Sequence, residues 1–124
     1  MSKWRSRELR SFSEASLAIA SAIRSERHMR FHLVATVVVV AVGLWLRVGR
    51  NDWLWLLGAI AAVWIAELIN TAIERTVDLV TLEIHPLAKA AKDTAAGAVL
   101  VAALFAIAAG LIVLGPPFWS RLTG

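Results

Sequence analysis

The residues from Thr94 to Ser120 limit most strongly what this chain can fold into, because all 27 of them are uncharged. A helix needs about 20 predominantly apolar residues to cross the hydrocarbon core of a bilayer. A chain of 124 residues is too small to bury so long an apolar segment in a water-soluble core. Two shorter apolar blocks precede it, Leu33–Leu46 and Trp53–Ala66. The sequence therefore predicts an all-α integral membrane protein that crosses the bilayer three times.

The basic residues are unevenly placed around these blocks. Seven of the thirteen Lys and Arg residues precede the first block, and three more lie between the second and third. By the positive-inside rule, the N-terminus and the second loop then face the cytoplasm, in a multi-pass protein of the cell membrane. Since topology and anionic lipid headgroups account for the excess of positive charge, we expect no nucleic-acid partner. The charged first thirty residues lack the apolar stretch of a signal peptide, so an uncleaved N-terminus is expected.

The periodicity of the chain predicts one domain over residues 1–124 with four helices. An amphipathic helix over 6–25, with Leu9 and Phe12 on its apolar side, suits a position in the membrane interface, and a solvated helix packed on protein is the alternative. The three spans are expected over 31–48, 53–80 and 93–115.

Glycine, asparagine and proline predict where these helices are interrupted. Gly49 and Asn51 indicate a turn after the first span. Pro86 is expected to end the second helix, with 81–92 as a polar linker, and Pro116–Pro117 to close the third span. Four of the six tryptophans should form an aromatic belt at one membrane face: Trp45, Trp53, Trp55 and Trp119.

A polar stripe marks the end of the second span. Glu67, Asn70, Glu74 and Asp78 follow one another at intervals of three or four residues, which places them within an arc of about 80° on one helix face. Carboxylates at a membrane boundary are costly and normally belong to a site or to ion pairs. The structural alternative is that the stripe pairs with the arginines of neighbouring helices: Arg24, Arg27, Arg30 and Arg75.

Further polar residues occur near the same membrane face. Glu26 precedes the first span and could meet Glu74, with Mg²⁺ between two carboxylates that would otherwise repel each other. Lys92 could contact phosphate oxygens, whereas Asp93 could cap the third span. His28 and His32 are interpreted as interfacial polar residues because no third metal ligand is apparent. The chain has no glycine-rich phosphate loop.

Three segments together resemble the family of small prokaryotic diacylglycerol kinases, which includes undecaprenol kinases. These segments are residues 26–32 (ERHMRFH), 67–78 (ELINTAIERTVD) and 91–99 (AKDTAAGAV). The resemblance extends from about Arg7 to Leu114 and preserves the order and spacing of the segments. It implies a homotrimer of three-span subunits that share active sites and transfer the γ-phosphoryl group of ATP to a lipid hydroxyl.

The resemblance also implies roles for individual residues. Glu67 would be the general base, and Glu26 and Glu74 would hold Mg²⁺ with support from Asn70. The nucleotide would contact Glu26, Asn70, Glu74, Glu83, His85, Lys92 and Asp93. Arg7 would lie on the side from which the lipid approaches, and Ala96 beside the lipid.

Two positions depart from the family pattern. Glu14 stands where some members have an aromatic residue, which puts an adenine contact there in doubt, and Ala96 stands where some have serine. Together with Pro86 and Lys89, the run 95–98 (AAGA) favours undecaprenol as the acceptor, with diacylglycerol as the alternative. More distant alternatives are a small ion-coupled transporter and a non-catalytic membrane subunit. The transporter is disfavoured because the chain lacks the repeats and broken helices typical of that class.

Overall fold

The computed structural model describes residues 2–124, which form four helices joined by short connections. Their bounds are α1 Lys3–Ser25, α2 Arg27–Leu46, α3 Arg50–Val80 and α4 Pro86–Thr123. In the described part of the chain, α2, α3 and α4 are long and apolar enough to cross a membrane. The all-α fold with three candidate spans agrees with the sequence prediction.

Helix α1 is largely separate from the other three. The structure leaves every residue from 2 to 19 exposed, including Trp4 and Phe12, which are 77% and 75% exposed. Only its last turns pack against protein, where Ala22 is buried. Apolar side chains without a partner in their own chain are available to the membrane interface or to other protein, which are the two alternatives that the sequence left open.

The turn between α2 and α3 is built on Arg47 rather than on Gly49. Arg47 has a left-handed backbone, with φ of 55°, whereas Gly49 has φ of −75°. The backbone N–H groups of Arg47 and Val48 donate to the carbonyls of Leu44 and Gly43. This pair of hydrogen bonds is a Schellman motif, which satisfies two carbonyls that the end of a helix leaves without partners.

The prolines do not end helices as the sequence analysis predicts. Pro86 does not end the second helix; α3 already ends at Val80, and Pro86 is the first residue of α4. Proline suits that position because its missing N–H would have no helical partner there. The polar linker is therefore 81–85 and not 81–92.

Helix α4 also continues through Pro116–Pro117 to Thr123. The segment beyond these prolines is held to α2, because Arg121 donates a hydrogen bond of 3.2 Å to the carbonyl of Trp45 and lies over its indole. Neighbouring helices commonly compensate for the backbone bonds that prolines remove from membrane helices.

These contacts define two ends of the bundle. The linker end carries the α1–α2 junction and the 81–85 linker. The opposite end carries the Arg47 turn, where Trp45 packs against Phe118 with ring centroids 6.0 Å apart. At this end the indole of Trp53 lies on Gly43, while Trp45, Trp55 and Trp119 remain exposed on the surface.

Candidate functional site

The polar stripe of α3 runs from a buried position to an exposed one as it approaches the linker end. Glu67 is 4% exposed, Asn70 and Glu74 are half-buried, and Asp78 is exposed. A carboxylate so deeply covered within a span is energetically costly unless it is partnered or used. Glu67 is therefore the residue of the stripe whose position most requires a functional explanation.

The partner of Glu67 comes from α2. His32 Nε2 lies 3.4 Å from Glu67 Oε2, and the two side chains are 14% and 6% exposed. The sequence pattern does not single out His32, which was interpreted as an interfacial polar residue. His28, one turn earlier on α2, does stand exposed. His32 is thus a site residue that the sequence interpretation missed, because the pairing depends on how α2 and α3 are rotated against each other.

A second polar contact joins the same two helices one turn deeper. Thr36 Oγ1 donates to the carbonyl of His32 at 2.7 Å and accepts a hydrogen bond of 2.8 Å from Trp64 Nε1. Trp64 precedes Glu67 by three residues and so lies on a similar face of α3. Two side-chain contacts, His32 with Glu67 and Thr36 with Trp64, therefore link α2 to α3 in this region.

Asn70 is the next polar residue of the stripe, three positions after Glu67. Its Oδ1 atom is buried and has no hydrogen-bond partner among the described residues. Buried polar atoms are nearly always hydrogen-bonded in folded proteins, so each exception needs an explanation. An amide oxygen is a suitable ligand for a hard cation or for a water molecule bound to one.

The expected pair Glu26 and Glu74 lies where α3 meets the α1–α2 junction. Glu26 is the single residue between α1 and α2, and both carboxylates are half-buried. Arg75 Nη2 donates a hydrogen bond of 2.9 Å to Ser25 Oγ, which ties the neighbour of Glu74 to the neighbour of Glu26. No salt bridge forms at either carboxylate within residues 2–124.

These carboxylates and the amide have the donor chemistry that Mg²⁺ prefers. The described chain holds no cluster of three or more His, Cys, Asp or Glu side chains suited to a metal. Mg²⁺ is usually held by one or two carboxylates together with substrate phosphates, so two carboxylates are sufficient. The residues present therefore fit Mg²⁺ bound jointly with a nucleotide better than a metal enclosed by protein ligands.

Lys92 reaches the end of the stripe from α4. Its Nζ atom donates to Asp78 Oδ1 at 2.7 Å, and this hydrogen bond raises the pKa of Lys92. Lys89 forms an ion pair with Asp93 one turn away on α4, which raises the pKa of Lys89 in the same way. Both lysines precede Thr94, where the uncharged segment of α4 begins.

Asp93 does not cap the third span, since it lies about two turns inside α4. The cap is His85, whose Nδ1 accepts a hydrogen bond of 3.1 Å from the N–H of Leu87. Glu83 is exposed in the linker, and its own N–H donates to Thr81 Oγ1. The linker thus places Glu83 and His85 at the same end of the bundle as Asp78 and Lys92.

Three expected site residues are not gathered with the others in one chain. Arg7 and Glu14 are exposed on the part of α1 that stands clear of the bundle, and Ala96 is exposed on α4. The arginine alternative also fails within the described chain, because Asp78 pairs with Lys92 instead. Arg75 donates to Ser25, and Arg30 donates to the carbonyl of Arg24.

An apolar groove of about 640 Å³ extends between α2, α3 and α4. His32 lines it, so the groove adjoins the partner of Glu67. Thr36 and Trp64 also line it, and their polar atoms bond each other. The remaining walls are apolar side chains and glycines, including Ala106, Gly110 and Phe118 of α4.

A membrane-embedded helical chain with this carboxylate stripe, an amide oxygen and a lysine at one face has the features of a small membrane enzyme that handles phosphate. Comparisons with known proteins identify the class more closely. The profile of the family described as prokaryotic diacylglycerol kinase matches residues 14–114. The chain therefore belongs to that family.

Individual relatives support the same family assignment. The chain is 42% identical to undecaprenol kinase of Bacillus subtilis (strain 168) over 110 residues, and this alignment covers 89% of each chain. It is 40% identical over 113 residues to diacylglycerol kinase of Synechocystis, covering 90% of this chain and 65% of that one. It is 34% identical over 97 residues to diacylglycerol kinase of Escherichia coli (strain K12), covering 78% and 76%. The protein is a lipid kinase of the membrane, and the transporter and non-catalytic alternatives are set aside.

Proposed function

We propose that this lipid kinase uses Mg²⁺ and ATP to phosphorylate the hydroxyl group of undecaprenol, which gives undecaprenyl phosphate. The single observation that carries the mechanism is the buried carboxylate of Glu67, on the same helix face as Asn70 and Glu74. The basic residues that flank the linker end support a position for this chemistry on the cytoplasmic side of the cell membrane, where ATP is available.

Glu67 acts as the general base in this proposal. One carboxylate oxygen accepts the proton of the lipid hydroxyl, while the hydroxyl oxygen forms a bond to the γ-phosphorus. The bond from the γ-phosphorus to its bridging oxygen breaks, and ADP leaves with the electron pair. Phosphoryl transfer depends mainly on positioning and on stabilising charge, so a base, metal ligands and a lysine suffice without a glycine-rich loop.

Glu26 and Glu74 would hold Mg²⁺, and Asn70 would support them through its Oδ1 atom. The hydrogen bond between Ser25 and Arg75 keeps the α1–α2 junction against α3 at the level of the two carboxylates. When bound, Mg²⁺ neutralises charge on the phosphates of ATP. The nucleotide therefore lies at the linker end, within reach of Lys92 and Asp93 from α4.

Glu83 and His85 contact the nucleotide from the linker, in keeping with their exposed positions. A nucleotide contact by Glu14 or a lipid contact by Arg7 requires the free part of α1 to approach a site. We therefore propose a homotrimer in which neighbouring subunits complete each active site. This assembly explains why α1 and Ala96 are not gathered with Glu67 in one chain.

The choice of undecaprenol over diacylglycerol rests on apolar surroundings. Ala96 provides no hydroxyl group, and the groove beside His32 is lined mostly by hydrocarbon. A polyprenol presents one hydroxyl and a long hydrocarbon tail, whereas diacylglycerol presents a polar ester region that would lose water contacts there. The similarity to the Bacillus subtilis undecaprenol kinase over 89% of each chain supports the same choice.

The test is phosphate transfer from labelled ATP in Mg²⁺-containing mixed micelles, with undecaprenol and diacylglycerol offered in competition. We expect labelled undecaprenyl phosphate as the main product and its loss in Glu67→Gln. Labelled phosphatidic acid as the main product would contradict undecaprenol as the substrate and indicate diacylglycerol instead. Transfer to neither lipid would overturn the proposed reaction.

Asp52→Asn is the matched control for Glu67→Gln. Asp52 is the carboxylate in the first turn of α3, at the opposite end of the same helix. The same chemical change there should leave transfer intact. Loss of transfer in both variants would show that α3 tolerates no neutralised carboxylate, which contradicts a specific role for Glu67.

A further inference from the structure

The geometry points to His32 as the positioning residue of the general base, an inference that rests on the proposed role of Glu67. His32 Nε2 lies 3.4 Å from Glu67 Oε2. With its proton on Nε2, the imidazole places a donor beside this oxygen, which restrains the carboxylate and leaves Oε1 for the lipid hydroxyl. A neutral imidazole with its proton on Nε2 is sufficient for this contact.

The contact is well placed to orient Glu67, since no other side chain of residues 2–124 forms a salt bridge or hydrogen bond with that carboxylate. The two side chains are 14% and 6% exposed, so water competes weakly for either of them. Their separation of 3.4 Å is longer than the about 2.7–3.2 Å of an ordinary N–H···O hydrogen bond. Such contacts are often long in the absence of substrate and shorten in the reacting complex.

The backbone that carries His32 is itself fixed to α3. The carbonyl of His32 accepts from Thr36 Oγ1, which in turn accepts from Trp64 Nε1, one turn of α3 before Glu67. The ring of His32 also packs edge-on against Phe31, with centroids 5.6 Å apart. A side chain whose own position is held by packing and hydrogen bonds can hold a reactive group within the narrow tolerance that catalysis requires.

His32 also lies at the boundary between the base and the apolar groove, which it helps to line. A carboxylate free to rotate in this place could turn toward the groove or toward the aqueous face. Holding one of its oxygens directs the other to a single position. The expected consequence of losing the donor is slower chemistry with little change in nucleotide binding.

The test compares two substitutions of His32 in the full-length protein. His32→Phe keeps a ring and removes the donor, and we expect kcat to fall by about 10- to 100-fold, as when the partners that orient a reactive group are removed. The KM for ATP should stay within about two-fold, because the nucleotide binds elsewhere. His32→Gln places an amide N–H near the position of Nε2 and should recover most of kcat. His28→Phe, the same change at an exposed position one turn earlier, should have no effect.

Unchanged kcat in His32→Phe would overturn the inference, as would a His32→Gln variant as slow as His32→Phe. If His32→Phe fails to assemble, His32→Gln and His32→Asn carry the test, since both are amides and only the longer one reaches Oε2. Equal kcat values for these two would overturn the inference. Glu67→Gln separates the role of His32 from the role of Glu67. If Glu67→Gln is inactive while His32→Phe is fully active, only the role of His32 fails. If Glu67→Gln is fully active, the proposed role of Glu67 as general base fails.

Discussion

Lys92 Nζ lies 2.7 Å from Asp78 Oδ1, so the lysine of α4 is held by the last carboxylate of the α3 stripe. The two side chains remain 37% and 49% exposed. An ion pair this exposed contributes little to stability, because water and salt screen it. Its main effect is therefore to position the lysine, at the end of the bundle where the nucleotide is proposed to bind.

Substitution of the two partners should accordingly have unequal effects. Lys92→Met removes the charge that is proposed to contact phosphate oxygens, and we expect the KM for ATP to rise by at least about ten-fold, as for loss of a charge-assisted hydrogen bond. Asp78→Asn keeps the charge of Lys92 and removes only the ion pair that positions it, so we expect the KM for ATP to rise by about two- to five-fold. ATP saturation curves at fixed lipid concentration measure both. Equal effects of the two substitutions would show that Lys92 serves the ion pair and not the nucleotide.

The close packing of Trp53 on Gly43 predicts a strong local effect on stability. A Cβ atom at position 43 would lie 2.8 Å from Trp53 Cη2, which is closer than Cβ atoms in real proteins approach a non-bonded neighbour. Gly43→Ala should therefore lower the free energy of unfolding by about 1–3 kcal/mol, as measured by thermal unfolding in detergent. Adding Trp53→Leu, which removes the ring, should restore part of this loss.

Gly58→Ala is the matched control for that measurement. Gly58 is in the middle of α3, and a Cβ atom at this position would meet no other atom within 4 Å. Alanine favours a helix interior over glycine by about 0.5–1 kcal/mol, so this variant should be as stable as the parent or more so. If both alanine variants lost stability equally, contact with Trp53 would not be the cause.

Hydrophobic pattern and helical spacing predicted most of the architecture. The uncharged blocks correspond to α2, α3 and α4, and the polar stripe of Glu67, Asn70, Glu74 and Asp78 follows from spacing along one helix alone. The bounds of the helices were less predictable. Pro86 lacks an N–H in any structure, but only its context decides whether it ends one helix or begins the next.

The partners of the stripe could not be predicted, because they depend on contacts between helices. His32 meets Glu67, and Lys92 meets Asp78, only after α2, α3 and α4 adopt one particular rotation and depth. Sequence spacing places residues on a face but carries no information on which face of a neighbour it meets. For the same reason, the resemblance could assign roles to Arg7 and Glu14 although one chain alone does not bring either residue to Glu67.

The groove between α2, α3 and α4 leads to a prediction about the lipid tail. Gly110 lines this groove, and a Cβ atom there would meet no other atom within 4 Å. Gly110→Leu should therefore be tolerated by the fold while filling part of the groove. If the groove receives the hydrocarbon tail, the KM for undecaprenol should rise by about ten-fold, the effect of about 1.4 kcal/mol of lost binding, with the KM for ATP unchanged.

The control for this experiment is Gly58→Leu, on α3 but outside the groove. It adds the same side chain at another open position and should leave both KM values unchanged. Chemical cross-linking of the two variants shows whether the assembly is intact. A normal KM for undecaprenol in Gly110→Leu would mean that the tail lies elsewhere. Loss of assembly in that variant alone would mean that a second subunit covers the groove.

The turn after α2 provides a prediction of increased stability. Arg47 has the left-handed backbone that glycine adopts freely and that costs an ordinary residue about 1–2 kcal/mol. Arg47→Gly should remove this cost and keep both hydrogen bonds of the turn, since they involve only backbone atoms. Glycine also makes the unfolded chain more flexible, which offsets part of the gain. We therefore expect a net increase of about 0.5–1 kcal/mol in the free energy of unfolding, measured as a higher Tm in detergent. Arg47→Ala, which removes the same side chain but keeps the Cβ atom, should show no such gain, and an equal gain in both variants would attribute the effect to the lost charge and not to the backbone.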